Sequence, residues 1–115
     1  MPPTPRELAY LWDMHAAAQD AIDILASCDK TTWSESKAHR FAVERCVELV
    51  GEAARHVESA TRTEYSSIPW RQIVGMRNVL AHEYGQIDHA RLFDTVTIEL
   101  PNLVTSLRSI LSTCE

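Results

Sequence analysis

The sequence predicts an all-α fold, a bundle of four to five helices that run up and down. Apolar residues recur at steps of three and four along the chain, which is the period of a helix with one buried face. No segment shows the alternation that is typical of a strand. The composition, 45% hydrophobic with 3 glycines in 115 residues, is that of a packed globule of one domain. We therefore expect residues 1–115 to form a single helical domain.

The first helix has a clear start signal. Thr4 is the expected N-cap, Pro5 the first helical position and Glu7 the residue that bonds back to the cap, as in a capping box. The helix should end near Ser27, and the polar, turn-prone residues from Cys28 to Trp33 should form a loop. The predicted buried face consists of Leu8, Leu11, Trp12, His15, Ala18, Ile22 and Leu25.

The second helix should begin at Ser34 or at Ser36 and run to about Ala60, because serine is a preferred N-cap. Gly51 weakens this helix by about 1 kcal/mol relative to alanine, but it lets another backbone approach closely. A polar connector should follow over residues 61–68. The predicted buried face consists of Ala38, Phe41, Ala42, Cys46, Leu49, Ala53 and Val57.

The third helix should open at Pro69 and end between His82 and Gly85, where Gly85 is a plausible C-terminal cap. It carries Trp70, Ile73, Val74, Arg77, Leu80 and Ala81.

The fourth helix should begin at Asp88 as N-cap, with Ile87 packing against Leu92 as a hydrophobic staple. Pro101 should kink this helix, because proline removes one backbone donor. The predicted buried stripe consists of Val96, Leu100, Leu103, Val104, Leu107, Ile110 and Leu111.

The charge balance limits how this chain could bind nucleic acid. The formal net charge is −5, whereas proteins that bind nucleic acid through their overall field are usually basic. Contacts to phosphate must therefore come from a local cluster of arginines, and 9 of the 11 basic residues are arginine.

The cysteines and the N-terminus indicate an intracellular protein without a metal centre. Cys28, Cys46 and Cys114 are odd in number and lack metal-ligand spacing, so we expect no disulfide framework and no zinc site. No apolar run is long enough to cross a membrane, and the N-terminus lacks the apolar stretch of a signal peptide. We expect a cytoplasmic protein that needs no metal and no cofactor.

One segment, residues 75–85, concentrates chemically active side chains at a helix end. Asn78 and His82 share a face at i,i+4, and Arg77 and Tyr84 share another at i,i+7. Arg77 and His82 lie five residues apart, about 140° around the helix axis. They can meet only if the helix end unwinds or if two copies of the helix cross. The spacing favours a composite site at a symmetric dimer interface.

These residue types suffice for cleavage of RNA without a metal. Arg77 can clamp a phosphate and stabilise the charge that develops on it, and Asn78 can orient a phosphate or base. His82 can take a proton from a ribose 2′-hydroxyl or give one to the leaving oxygen. The alternative is structural: Arg77 forms an ion pair with a carboxylate of the second helix such as Glu52, while His82 and Tyr84 cap the helix end.

Three stretches of the sequence are similar to those of a known family. They are Arg77-Asn78-x-x-x-His82-x-Tyr84, the preceding run Ile68-Pro69-Trp70-Arg71-Gln72-Ile73, and Val50-Gly51-Glu52-Ala53-Ala54. With this combination the chain resembles the HepT family of the HEPN superfamily, from the Tyr10-Leu11 region to Leu100-Pro101-Asn102-Leu103.

The resemblance implies a HEPN-like homodimer in which the R-x4-H residues of both copies face one cleft. It also implies the toxin of a bacterial type VII toxin–antitoxin pair, a ribonuclease that acts on RNA without a metal through Arg77, Asn78 and His82. In this family the partner is a minimal nucleotidyltransferase of the MntA type, which silences the toxin by attaching AMP to the motif tyrosine, here Tyr84.

Two alternatives to a nuclease stay open from the sequence. The chain could be a non-catalytic AMP acceptor and interaction module for the nucleotidyltransferase, modified at Tyr84. It could also be a helical dimer without chemistry, in which Trp70 and Leu80 build the interface.

Overall fold

Helices make up most of the described structure. The computed structural model describes residues 3–82 and 88–114, without the side chains of residues 78–82. The helices are α1 (Pro5–Ala26), α2 (Lys30–Glu35), α3 (Lys37–Arg55), α4 (Ser59–Glu64), α5 (Trp70–His82), α6 (His89–Asp94) and α7 (Leu100–Cys114), with a π-helical turn over Thr95–Glu99. No strand occurs in these ranges. The all-α prediction is confirmed: α1, α3, α5 and the α6–α7 rod are the four predicted helices.

The start of α1 follows the predicted capping box. The Glu7 N–H donates to Thr4 Oγ1 at 3.2 Å, and the Thr4 N–H donates to Glu7 Oε1 at 3.3 Å. Trp12, however, is 47% exposed, so its predicted place in the core is wrong. Met14 is buried instead, because Trp12 lies about 100° beyond Leu11 and turns away from the core.

The predicted loop from Cys28 to Trp33 is wrong, because α2 begins there. Asp29 caps this helix by accepting from the Thr32 N–H at 2.8 Å. Trp33 is 2% exposed, and its indole N–H donates to the His89 carbonyl oxygen at 2.7 Å. A helix of six residues with one buried side chain is too short to show an apolar period.

Helix α3 begins after Ser36, the second of the two predicted starts, and ends at Arg55 rather than at about Ala60. The Arg62 guanidinium donates to the carbonyl oxygens of Ala54 and Val57 at 2.9 and 3.0 Å. These bonds satisfy acceptors that the helix end exposes. Helix α4 (Ser59–Glu64) then occupies the first half of the predicted connector, which is wrong there, while residues 65–68 form a turn as expected.

The predicted buried face of α3 is wrong in part. Phe41 is 64% exposed and Leu49 is 39% exposed, whereas Ala53 and Val57 are buried as predicted. The core side of α3 also includes Val43, Val47, Val50 and Ala54, which were not predicted. Apolar residues lie on two faces of this helix, so the period alone could not select the buried one.

Helix α5 begins at Trp70 as predicted, directly after Pro69. The Trp70 side chain is buried, and its indole N–H donates to the Tyr65 carbonyl oxygen at 3.1 Å. The predicted cap at Gly85 lies outside the described residues.

The fourth predicted helix starts at Asp88, whose side chain accepts from the Arg91 N–H at 3.0 Å. The staple of Ile87 lies outside the described residues. The helix was expected to be distorted at Pro101, but the distortion lies just before this residue. There the Leu100 N–H donates to the Thr95 carbonyl oxygen, five residues back, as in a π-helical turn. Of the predicted stripe, Ile110 is half-buried and the remaining residues are buried, namely Val96, Leu100, Leu103, Val104, Leu107 and Leu111.

The packing order places the α5 motif beside the middle of the bundle. Helix α3 packs against both α1 and α5, and α7 packs against α1, around a single hydrophobic core. Among the described residues, no helix is both long and apolar enough to cross a membrane. The seam between α3 and α5 is therefore where residues of the R-x4-H helix meet the rest of the chain.

Candidate active site

The seam between α3 and α5 is unusually close at Gly51. A β-carbon at this position would overlap the Arg77 β-carbon and would lie 3.0 Å from the Ile73 carbonyl oxygen. No residue larger than glycine fits there without displacing α5. The predicted role of Gly51, to admit another backbone, is confirmed.

The close seam brings Arg77 to a carboxylate of α3. Arg77 Nη2 lies 2.9 Å from Glu52 Oε2, which is the ion pair that the structural alternative predicted. The Arg77 side chain is 17% exposed and the Glu52 side chain 41% exposed. Because one partner faces water, this pair contributes little to stability, about 1 kcal/mol or less. The Arg77 side chain is thus mostly buried at the seam, with Nη2 on the partly exposed Glu52 carboxylate.

Glu52 has a second partner on its own helix. Its Oε1 lies 3.6 Å from His56 Nε2, an ion pair when the imidazole is protonated. The His56 ring stacks on Tyr10 of α1, with ring centroids 4.9 Å apart and an interplanar angle of 18°. The chain of contacts from Tyr10 to Arg77 therefore joins α1, α3 and α5.

A cleft of about 400 Å³ lies on the α1 side of this chain of contacts. It is lined by Tyr10, Asp13, Ala16, Ala17, Asp20, Leu49, Glu52, Ala53 and His56. Carboxylates dominate its polar lining, so the phosphates of RNA would be repelled from it.

A larger groove of about 940 Å³ lies between α5 and the α6–α7 rod. Its floor is apolar, with Val50, Ile73 and Leu103, and Arg91 and Glu99 are among the polar residues that line it. Ile98, which also lines this groove, is 64% exposed. This face of the bundle therefore leaves apolar surface in contact with water.

The predicted site residues are described to different extents. Arg77 lies at the seam with Glu52. Asn78 and His82 are helical residues of α5, but their side chains lie outside the description, and Tyr84 lies outside the described residues. Because α5 is helical from Trp70 to His82, the backbone positions of Arg77 and His82 stay about 140° apart.

Two neighbours of the site were not predicted. His56 lies four residues after Glu52, a spacing that places both on one helix face and that could have indicated the contact. Tyr10 had no such signal, because its stacking on His56 depends on how α1 packs against α3. Among the described residues, no group of histidine, cysteine and carboxylate side chains could hold a metal ion.

The fold and the seam define an all-α bundle with an arginine-bearing helix held at its edge. The family model described as "Ribonuclease HepT-like" matches residues 14–110, so the chain belongs to the HepT-like ribonuclease family.

Several relatives of this chain are named as ribonucleases. The protein assigned as RNase MJ1380 of Methanocaldococcus jannaschii is 34% identical over 95 residues, which cover 83% of this chain and 87% of the relative. The protein assigned as RNase MJ0125 of the same organism is 30% identical and covers 93% and 92%. The protein assigned as ribonuclease HepT of Thermococcus cleftensis is 36% identical and covers 66% and 63%. No solved structure matched the chain.

Proposed function

We propose that this chain is the toxin component of a type VII toxin–antitoxin system of the HepT/MntA kind. It is a metal-independent endoribonuclease that acts in the cytoplasm as a homodimer of single helical domains, residues 1–115. Arg77 and His82 are the catalytic residues, and Asn78 binds the substrate. The relatives are mostly archaeal, so the proposal does not depend on a bacterial source.

The observation that carries the proposal is that Arg77, the arginine of the R-x4-H motif, lies at the seam between α3 and α5 beside the partly exposed Glu52. Membership of the HepT-like ribonuclease family supports RNA as the substrate. The Arg77 side chain is 17% exposed, and its guanidinium lies beside Glu52. The same helix, α5, also contains Asn78 and His82. A planar guanidinium suits the bidentate binding of a phosphate.

The reaction that these groups support is an internal transfer. His82 takes the proton of a ribose 2′-hydroxyl, and the oxygen attacks the adjacent phosphorus. Arg77 stabilises the negative charge that builds up on the phosphate oxygens. The new 2′-oxygen–phosphorus bond forms and the bond to the 5′-oxygen breaks. The leaving 5′-oxygen takes the proton that His82 removed from the 2′-hydroxyl. DNA is inert because it lacks the 2′-hydroxyl.

Helix geometry supports a site that is shared between two copies. With α5 helical through His82, the backbone positions of Arg77 and His82 in one copy lie about 140° apart around the helix axis. The Arg77 of one copy would therefore work with the His82 of the other. The groove with exposed Ile98 beside α5 offers apolar surface that a second copy could cover.

The proposed antitoxin is a minimal nucleotidyltransferase of the MntA type that attaches AMP to Tyr84. In the sequence Tyr84 follows His82 by two residues. An added phosphate would bring negative charge to the end of α5 and compete with RNA for the arginine.

The test is cleavage of a defined RNA by the purified, unmodified chain in the presence of a chelator. We expect cleavage of the RNA, no cleavage of an oligonucleotide with 2′-deoxyribose at the scissile position, and loss of activity in His82→Ala. The proposal fails if the RNA stays intact, or if His82→Ala cleaves it as fast as the unchanged chain.

The second candidate is a non-catalytic AMP acceptor and interaction module. The ion pair between Arg77 and Glu52 favours it, because a paired arginine has a structural role without any substrate. Mass spectrometry after co-expression with the neighbouring gene product tests this candidate. It predicts an AMP adduct on Tyr84 in a chain that cleaves no RNA, and an unchanged mass without complex formation excludes it.

A further inference from the structure

Two glutamates on α3 differ in the arginine with which each forms an ion pair. Glu48 lies 3.0 Å from Arg45 of the same helix, so this pair stays within α3. Glu52, one turn later, reaches across the seam to Arg77 at 2.9 Å. Only the second pair fixes a side chain of the R-x4-H helix.

We propose that Glu52 is a positioning residue for Arg77 in RNA cleavage. Its carboxylate holds the guanidinium in the one orientation that faces the scissile phosphate. This inference rests on the proposed ribonuclease function, and it adds a residue from α3 to a site otherwise drawn from α5.

The surroundings of the pair support a positioning role. Arginine has a long side chain with several rotatable bonds, so a guanidinium at a surface is ordinarily mobile. Here the Arg77 stem rests against Gly51, where a β-carbon would collide with it, and its far end is held by Glu52. Glu52 Oε1 also lies 3.6 Å from Nε2 of His56, whose ring stacks on Tyr10 and which pairs with Glu52 when it is protonated. Both ends of the Arg77 side chain are therefore fixed.

The charge of Glu52 makes this role separable from a purely structural one. A carboxylate beside Arg77 repels an incoming phosphate, so it disfavours substrate binding. If it nevertheless orients the guanidinium for the transition state, its removal changes the two kinetic constants differently. The kcat should fall, while the KM for RNA stays equal or falls. Partial unfolding would instead reduce the active fraction and leave KM unchanged, with a matching loss of folded signal.

The kinetic test compares three variants in a chelator with one RNA oligonucleotide. In Glu52→Ala we expect a kcat lower by about tenfold to a hundredfold, since small errors in position cost this much. Glu52→Gln should retain most of the kcat of the unchanged chain, because the amide oxygen still accepts a hydrogen bond from Arg77. Glu48→Ala, the matched control one turn earlier, should behave as the unchanged chain. A kcat in Glu52→Ala equal to that of the unchanged chain overturns the proposal.

A second measurement reports how restricted the Arg77 guanidinium is, and it does not depend on RNA cleavage. Nitrogen-15 NMR of the guanidinium, assigned with Arg77→Lys, should show restricted rotation in the unchanged chain, in Glu52→Gln and in Glu48→Ala. Rotation should become faster in Glu52→Ala than in the unchanged chain. Equal spectra for the unchanged chain and Glu52→Ala overturn the positioning role.

The outcomes separate this inference from the function it rests on. If the unchanged chain cleaves RNA, Arg77→Gln does not, and Glu52→Ala cleaves normally, only the positioning role is overturned. If the unchanged chain cleaves no RNA, the ribonuclease proposal fails and the positioning role fails with it.

Discussion

Two glutamates show how this fold treats a carboxylate in its interior and one at its edge. Glu7 at the start of α1 is 5% exposed, and its two oxygens accept hydrogen bonds from the backbone N–H groups of Thr4 and Glu58. Glu52 on α3 has a side chain 41% exposed, and its partners are the side chains of Arg77 and His56. The first joins α1 to the start of α4, and the second holds a cation at the seam with α5.

This difference indicates which of the two carboxylates can take part in a reaction. Backbone donors cannot move away without unfolding a helix end, so Glu7 has a fixed structural role. The partners of Glu52 are side chains at the surface, and a guanidinium there can be shared with a ligand. If this comparison is right, substitutions at the α3–α5 seam change activity, and substitutions around Glu7 change stability.

The largest effect should follow the replacement of Arg77. Arg77→Gln keeps most of the buried stem but removes the charge that binds phosphate. We expect RNA cleavage to fall by about 10²–10³-fold, while the free energy of unfolding falls by less than about 1 kcal/mol, because the ion pair is partly exposed. Single-turnover cleavage and urea unfolding of the same preparation measure both. If stability and activity instead fall together by a large amount, Arg77 has a structural role, as Glu7 does.

The second effect concerns Glu7. Glu7→Ala leaves the N–H groups of Thr4 and Glu58 without their acceptor, so we expect the free energy of unfolding to fall by about 2–3 kcal/mol. Cleavage per folded molecule should stay unchanged. Asp23→Ala is the matched control on α1, because its contact with Gln19 is exposed and its loss should cost about 0.5 kcal/mol or less. Unequal specific activity of folded Glu7→Ala would contradict the separation of the two regions.

The third effect tests the seam itself. Gly51→Ala gains helix propensity but forces a β-carbon into Arg77 and against the Ile73 carbonyl, so we expect a net loss of about 1–2 kcal/mol in stability. Activity should fall as well, because α5 must shift. Gly75→Ala is the matched control: Gly75 is also helical, and none of the atoms that the structure describes lies within 4 Å of the added β-carbon. This substitution should stabilise the chain by about 0.5–1 kcal/mol. Equal effects of both substitutions would show that the seam is not tightly packed.

The fold could be predicted where a signal is local to one segment. The capping box at Thr4, the N-cap at Asp88 and the start at Trp70 depend on residues within one turn, and the structure has them as expected. The exposure of Phe41 and Leu49 could not be predicted, because two apolar faces of α3 compete and the packing of α1 and α5 decides between them.

The candidate site could be predicted in part for the same reason. Gly51 as a close approach followed from its lack of a side chain, and Glu52 was the example of a carboxylate on the second predicted helix that could pair with Arg77. The stacking of Tyr10 on His56 depends on the register between α1 and α3, which no local pattern contains. Helix geometry alone indicated that the positions of Arg77 and His82 diverge, so that the two residues meet only if the helix end unwinds or if two copies of the helix cross.

The smallest effect is a pH dependence that should belong to Glu7. Burial desolvates this carboxylate and by itself raises the pKa, but hydrogen bonds from the backbone of Glu58 and from Thr61 and Thr4 outweigh burial, and the pKa of Glu7 is lowered overall. A carboxylate with a lowered pKa in the folded state adds stability that is complete above its unfolded-state pKa. That stability is lost as the pH falls through the folded-state pKa.

The unchanged chain should therefore lose more stability than Glu7→Gln when the pH is lowered from about 6 to about 3. Urea unfolding across this range measures the difference, which should shrink steadily towards acid because Glu7 becomes protonated and then resembles glutamine. Parallel curves for the two chains would mean that the hydrogen bonds to Glu7 do not favour its charged form. In that case burial would prevail, and Glu7 would not be the purely structural counterpart of Glu52.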